Sequence, residues 1–212
     1  MVCVPQGEVA RIVTLQTSGS TGSPKRLHFT RDDLDGTLDF FLHGMLNLVG
    51  QVDRVLALLP FSQPDSTGDL LIRALTGGGV HCAGLWPPTD AAELAQFIAA
   101  ERYSCVVGLP QHLLALSETL PFGAVRTMLL CSDYAPPALR RRIEEACGCE
   151  TFLHYGTTET GLGGGVECEA HDGCHLRESD LLFEIVDPDT GEALPDGEAG
   201  EVVVTTLGRR AM

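Results

Sequence analysis

Two stretches of this chain gather groups that could hold a nucleotide. The first is Thr17-Ser18-Gly19-Ser20-Thr21-Gly22-Ser23-Pro24-Lys25. Its glycines let the backbone close on an anion while N–H and O–H donors point inward, and Lys25 adds charge, which suits a polyphosphate. It departs from the classical P-loop, because Lys25 follows a proline and precedes Arg26 rather than Ser or Thr. A Ser/Gly surface turn is the competing reading. The second stretch is His154-Tyr155-Gly156-Thr157-Thr158-Glu159-Thr160-Gly161. It offers a ring to stack on a base, hydroxyl donors for a phosphate and a carboxylate for a hard cation. The plain alternative is a strand and polar turn, with Tyr155 in the core and Glu159 solvated.

A third cluster, Cys168, His171, Cys174 and His175, places four zinc-compatible side chains within eight residues. In an extended chain, adjacent Cys174 and His175 point to opposite faces, which works against all four sharing one ion. A solvated loop without metal is the other reading. His28, His43, His81 and His112 lack polar partners nearby in sequence and are read as surface or structural. Cys147-Gly148-Cys149 is read as packing, since no second cysteine pair stands at a zinc-ribbon spacing.

The elements that must carry these residues alternate. Val9 to Leu15 is β-branched and reads as a strand ended by the Gly/Ser/Thr cluster. Thr30 is a predicted N-cap, followed by Asp32, Asp33 and helical spacing of Leu34, Leu38, Phe41, Leu42 and Met45. Short apolar runs at 54–59, 80–83, 105–109 and 127–131 predict strands buried on both faces, with helices at 68–75, 90–100 and 136–146. Such alternation predicts an α/β fold with a mostly parallel sheet and flanking helices. Beyond Gly165, the runs 181–186 and 201–206 with turns at Asp187 to Gly191 and Pro195 to Gly197 predict a β-hairpin. The division expected is a nucleotide-binding core at 1–165 and the start of a small β subdomain at 166–212.

The 212 residues are 44% apolar, enough for a globular core. With 29 acidic against 14 basic residues, the net charge of −15 disfavours nucleic acid and anionic membranes as partners. No apolar run approaches the roughly 20 residues that span a bilayer, and Met1 to Pro5 lacks the marks of a secretory signal. Eight cysteines scattered through aliphatic segments then predict a reducing, cytoplasmic setting.

TSGSTGSPK and YGTTE, in that order, resemble the phosphate loop and the later Tyr-Gly-x-Thr-Glu motif of the adenylate-forming (AMP-binding) superfamily, which includes acyl-CoA synthetases, luciferases and peptide-synthetase adenylation domains. LLCSDYAPPALRRRIEEACGCETFLHYGTTETGLGGGVEC, and then GCHLRESDLLFEIVDPDTGEALPDGEAGEVVVTTLGRRAM, are similar to its phenylacetate-CoA ligase and coenzyme F390 synthetase branch, and the likeness runs from about Glu8 to Met212. In such enzymes a carboxylate attacks the α-phosphate of ATP to give acyl-AMP and pyrophosphate, and coenzyme A then displaces AMP.

The resemblance implies that Thr17, Ser18, Gly19, Ser20, Thr21, Gly22 and Lys25 hold the β- and γ-phosphates. Tyr155, with Gly156 beside it, would flank the adenine, and Ser132 and Asp133 would lie on the adenine-side loop. Thr158 would contact the α-phosphate and Glu159 would bind Mg²⁺, so Thr158, Glu159 and Lys25 would carry the electrostatic part of catalysis. Zinc in some relatives of this branch singles out Cys168 and His175 in the cysteine and histidine cluster. An acyl pocket is expected around Leu59 to Phe61 and the glycine run 161–165, where missing side chains could leave room for an aromatic ring.

The family pattern continues past the last strand with an Arg-Thr-Gly-Asp segment, a hinge and a mobile domain bearing a catalytic lysine. These fall outside this sequence, and the phosphate loop begins only 16 residues from Met1. The expectation is therefore a partial ligase acting on a small aryl-acetate-like carboxylate. A non-catalytic nucleotide-binding remnant and one half of a split ligase are the alternatives. Partners at the protein level would be a second copy or a complementing fragment.

Overall fold

The computed structural model describes residues 4–15 and 25–209. It opens with an antiparallel pair, β1 (Arg11–Leu15) and β2 (Lys25–Phe29), in which Arg11 faces Phe29. The second of these strands escaped the sequence reading, since Lys-Arg-Leu-His-Phe lacks a clean apolar alternation. The helix α1 (Arg31–Met45) follows at once. Its start is a capping box: the Asp33 N–H donates to Thr30 Oγ1 (3.2 Å) and the Thr30 N–H donates to Asp33 Oδ2 (2.8 Å).

The chain then runs β3 (Arg54–Leu58), α2 (Thr67–Gly77), β4 (His81–Gly84), α3 (Ala91–Glu101), β5 (Cys105–Gly108), α4 (Pro110–Ser117), β6 (Thr127–Leu130), α5 (Pro137–Cys147) and β7 (Glu150–Tyr155). Every predicted strand and helix of this stretch forms. The helix α4 was not anticipated, because its apolar residues continue those of β5 and only Pro110, at its first turn, marks the start. Three antiparallel pieces come next: β8 (Gly165–Glu167), β9 (Cys174–Leu176), and the hairpin of β10 (Leu181–Val186) with β11 (Glu201–Thr206).

The main sheet has the order β4-β3-β5-β6-β7-β8-β9, and its first five strands are parallel. Side chains alternate between two cores, as strand geometry demands. Val55, Ala57, Cys105, Val107 and Leu129 face α1 and α2, whereas Leu56, Leu58, Val106, Met128 and Leu130 face α3, α4 and α5. The sheet is thus covered on both faces, which is why its strands read as unbroken apolar runs. From β3 the chain crosses by α2 to β4 on one side, then returns by α3 to β5 on the other. The carboxyl ends of β3 and β5 therefore form a topological switch point, the place where open α/β sheets offer a crevice.

Candidate functional site

A cavity of about 670 Å³ opens at that switch point. Leu59, Val107, Leu129 and Cys131, at or after the ends of β3, β5 and β6, form its floor. The helix α1 supplies Phe40, Phe41, Gly44 and Met45, and α2 supplies Thr67 and Leu71. This body is apolar and aromatic. The polar side is different in kind: Ser132, Gly156, Thr157, Thr158 and Glu159 line it, all from turns that follow β6 and β7. Glu159 is the single carboxylate among the described lining residues.

The turn after β7 is held by its own hydroxyls. The Thr157 N–H donates to Thr160 Oγ1 (2.9 Å), the Thr160 N–H donates to Thr157 Oγ1 (3.3 Å), and the Thr160 hydroxyl donates to the Thr157 carbonyl (3.0 Å). These bonds occupy Thr157 and the buried Thr160 and leave Thr158 and Glu159 along the cavity wall. The far end of the turn is tied to α1, because the Thr37 hydroxyl donates to the Gly161 carbonyl at 3.0 Å. Gly161 has φ +81, which favours glycine, and a Cβ there would displace an Arg209 guanidinium nitrogen that lies 1.3 Å from its position.

Ser132, in the turn after β6, has φ 66, a left-handed conformation costly for a non-glycine residue and concentrated at functional sites. Asp133 is exposed, and its carboxylate accepts the Tyr134 N–H at 2.8 Å. His154, on β7, also lines the cavity, with its ring 6.1 Å from Phe40 and 6.3 Å from Phe41. Burial pushes its imidazole down to about 4, so it is neutral at pH 7. Sequence reading singled out the motif around His154 for Tyr155, Thr158 and Glu159. That the histidine faces inward follows from strand alternation, which could have found it.

Behind β7 lies a polar brace. Arg140 of α5 grips Glu167 of β8 with two nitrogens (3.0 and 2.9 Å) and also reaches the Thr151 hydroxyl and carbonyl. Glu167, buried at 3% exposure, accepts the Leu153 N–H at 2.9 Å. His171 pairs with Glu150 at 3.0 Å and Glu167 at 3.4 Å. Burial opposes its charge, but these hydrogen bonds prevail and its pKa is raised. The histidine and cysteine cluster of the sequence is thus partly spent on ion pairing. Cys168 is half-buried just after β8, and His175 is exposed on β9 opposite Val166. Among the described residues, no group of three or more His, Cys, Asp or Glu side chains is placed to hold a metal ion.

The structure thus brings Ser132, Gly156, Thr158 and Glu159 to one cavity. Tyr155 is not among the residues that line it; it is 38% exposed, with its ring edge-on to Phe183 at 6.3 Å. Residues Thr17 to Gly22 lie outside the described residues, and Lys25 is the first residue of β2. The acyl pocket differs from expectation. Of 59–61 and 161–165, only Leu59 and Leu162 line the cavity. The glycines make room for the protein's own side chains: a Cβ at Gly163 would meet Phe40, at Gly164 Tyr155, and at Gly165 Cys174 and Leu176.

Solved CoA ligases share this two-faced, mostly parallel sheet. The open form of 2-hydroxyisobutyryl-CoA ligase, solved with 2-HIB-AMP and CoA, superposes with a TM-score of 0.81 at 19% identity over 99% of this chain and 51% of that one. The anthranilate CoA ligase AuaEII with anthranoyl-AMP gives 0.70 at 20% identity, covering 92% of this chain and 39% of that one. The chain belongs to the AMP-binding enzyme family, which its residues 10–208 match. It is 31% identical to the phenylacetate-coenzyme A ligase of Thermus thermophilus, over 100% of this chain and 49% of that protein. Identity to the Escherichia coli phenylacetate-coenzyme A ligase is 29%, over 99% of this chain and 49% of that protein. The chain spans about half the length of these relatives. No described helix is long and apolar enough to cross a membrane.

Proposed function

We propose that this chain is the nucleotide- and carboxylate-holding part of an ATP-dependent acyl-CoA-forming ligase of the phenylacetate type. One observation carries the reading: a single cavity combines an aromatic, apolar body with a rim of Ser132, Thr158 and Glu159. An aryl acid would lie in the body with its carboxylate toward the rim, where the α-phosphate of ATP would meet it. Thr158 would contact that phosphate. Glu159 fits a magnesium ion there, being a carboxylate beside hydroxyl donors, and the ion would neutralise charge that builds on the phosphates. Thr17 to Gly22 and Lys25 would hold the outer phosphates, and Tyr155 with Ser132 and Asp133 the adenine. Coenzyme A thiol would then displace AMP from the acyl-adenylate.

Cys168 and His175 are held as a lesser proposal for zinc, testable by metal analysis of the purified chain. The division near residue 165 belongs to the same reading, supported by the hairpin of β10 and β11, which forms a sheet of its own, while β8 and β9 still extend the main sheet past that point. A cytoplasmic setting is supported by seven described cysteines that are all free thiols. The test is calorimetric titration with MgATP of wild type, Lys25→Ala and Glu159→Ala, beside a pyrophosphate-release assay with phenylacetate. Binding that weakens in both variants supports the site. Absence of heat from a folded wild-type sample overturns it.

A further inference from the structure

Phe40 separates two cavities. Beyond it lies a second hollow of about 380 Å³, and Phe40, Gly44 and Val166 border both. Between Gly44 and Val166 the partition is close-packed: a Cβ on Gly44 would come within 3.3 Å of Val166. The Phe40 ring is therefore the removable part of the wall.

The ring is fixed from several sides. The Arg177 guanidinium lies over it at 5.5 Å, and Arg177 is itself nearly buried and ion-paired to Asp180. Gly163 approaches so closely that a Cβ there would sit 2.2 Å from Phe40 Cδ1. Phe41 and His154 flank it at 6.3 and 6.1 Å. A ring wedged in this way resists swinging aside for a ligand, since close-packed interiors yield little without strain.

We propose that Phe40 is the end wall that sets how long an acyl group this site takes, restricting it to compact acids such as a single aryl ring on a short chain. The inference rests on the ligase reading above. An acyl tail longer than the cavity meets the Phe40 face and stops. With the ring removed, the tail runs on into the second hollow, past Leu176 of β9.

The test uses non-hydrolysable acyl-adenylate analogues, in which a sulfamate replaces the phosphate, carrying phenylacetyl, octanoyl or dodecanoyl groups. Affinities are read by calorimetry on the full chain. Wild type is expected to lose about tenfold or more between the phenylacetyl and dodecanoyl analogues. Phe40→Ala should remove that loss, and Phe40→Leu, the milder change should the first variant fail to fold, should reduce it. Adding Leu176→Trp to either variant should restore the loss by filling the second hollow. The same length profile in wild type and the Phe40 variants overturns the inference and leaves the ligase reading standing. Failure of wild type to bind any analogue overturns both.

Discussion

His154 makes the stability of this chain acid-sensitive in a defined window. Its imidazole titrates at about 4 in the folded chain against 6.5 when free, because burial beside Phe40 and Phe41 disfavours the cation. The unfolded chain therefore binds the proton first. The contribution is complete above pH 6.5 and drains away as pH falls from about 6.5 to about 4. At about 1.4 kcal/mol per pH unit, the 2.5-unit gap amounts to about 3 kcal/mol. His154→Phe keeps an aromatic wall and removes the titration. Urea unfolding followed by circular dichroism at pH 7, 6, 5 and 4 should give a variant curve flatter than wild type by that amount. His171 titrates in the opposite sense, its raised pKa favouring the fold at lower pH, and it cancels in the difference. Parallel wild-type and variant curves would refute the claim that His154 is buried neutral.

Two further substitutions probe the frame around the site. Arg140→Met leaves the Glu167 carboxylate buried without its bidentate partner and should cost about 3–5 kcal/mol in urea unfolding, whereas the double variant with Glu167→Gln should recover part of it. Gly161→Ala forces a Cβ into a left-handed residue and into Arg209, and should cost more than about 1 kcal/mol by thermal unfolding. It should also weaken MgATP binding, since the same turn carries Thr158 and Glu159. Unchanged melting and binding would refute both the backbone strain at Gly161 and its close contact with Arg209.

Much of this was legible in the sequence where one local rule governed. Thr30 and Asp33 announce the start of α1, and the β-branched and aliphatic runs of β3, β5 and β6 announce strands with both faces covered. The turn around Thr158 and Glu159 was legible by its composition. The body of the cavity was not, because Phe40, Gly44 and His154 come from elements far apart in sequence, and nothing local says which face of α1 meets the end of β7. The same holds for the glycine run at 161–165. Its missing side chains pointed to space for a substrate, yet that space is taken by Phe40, Tyr155, Cys174 and Leu176, all from other elements. The role of His171 was hidden for a related reason: its partner Glu150 opens another strand, 21 residues earlier.

The bond between the Thr37 hydroxyl and the Gly161 carbonyl joins groups 124 residues apart. A ribosome delivers Thr37 long before Gly161, so α1 emerges with one side of the cavity still unmade. The stretch of wall that Thr157, Thr158 and Glu159 supply is added only as that turn is made.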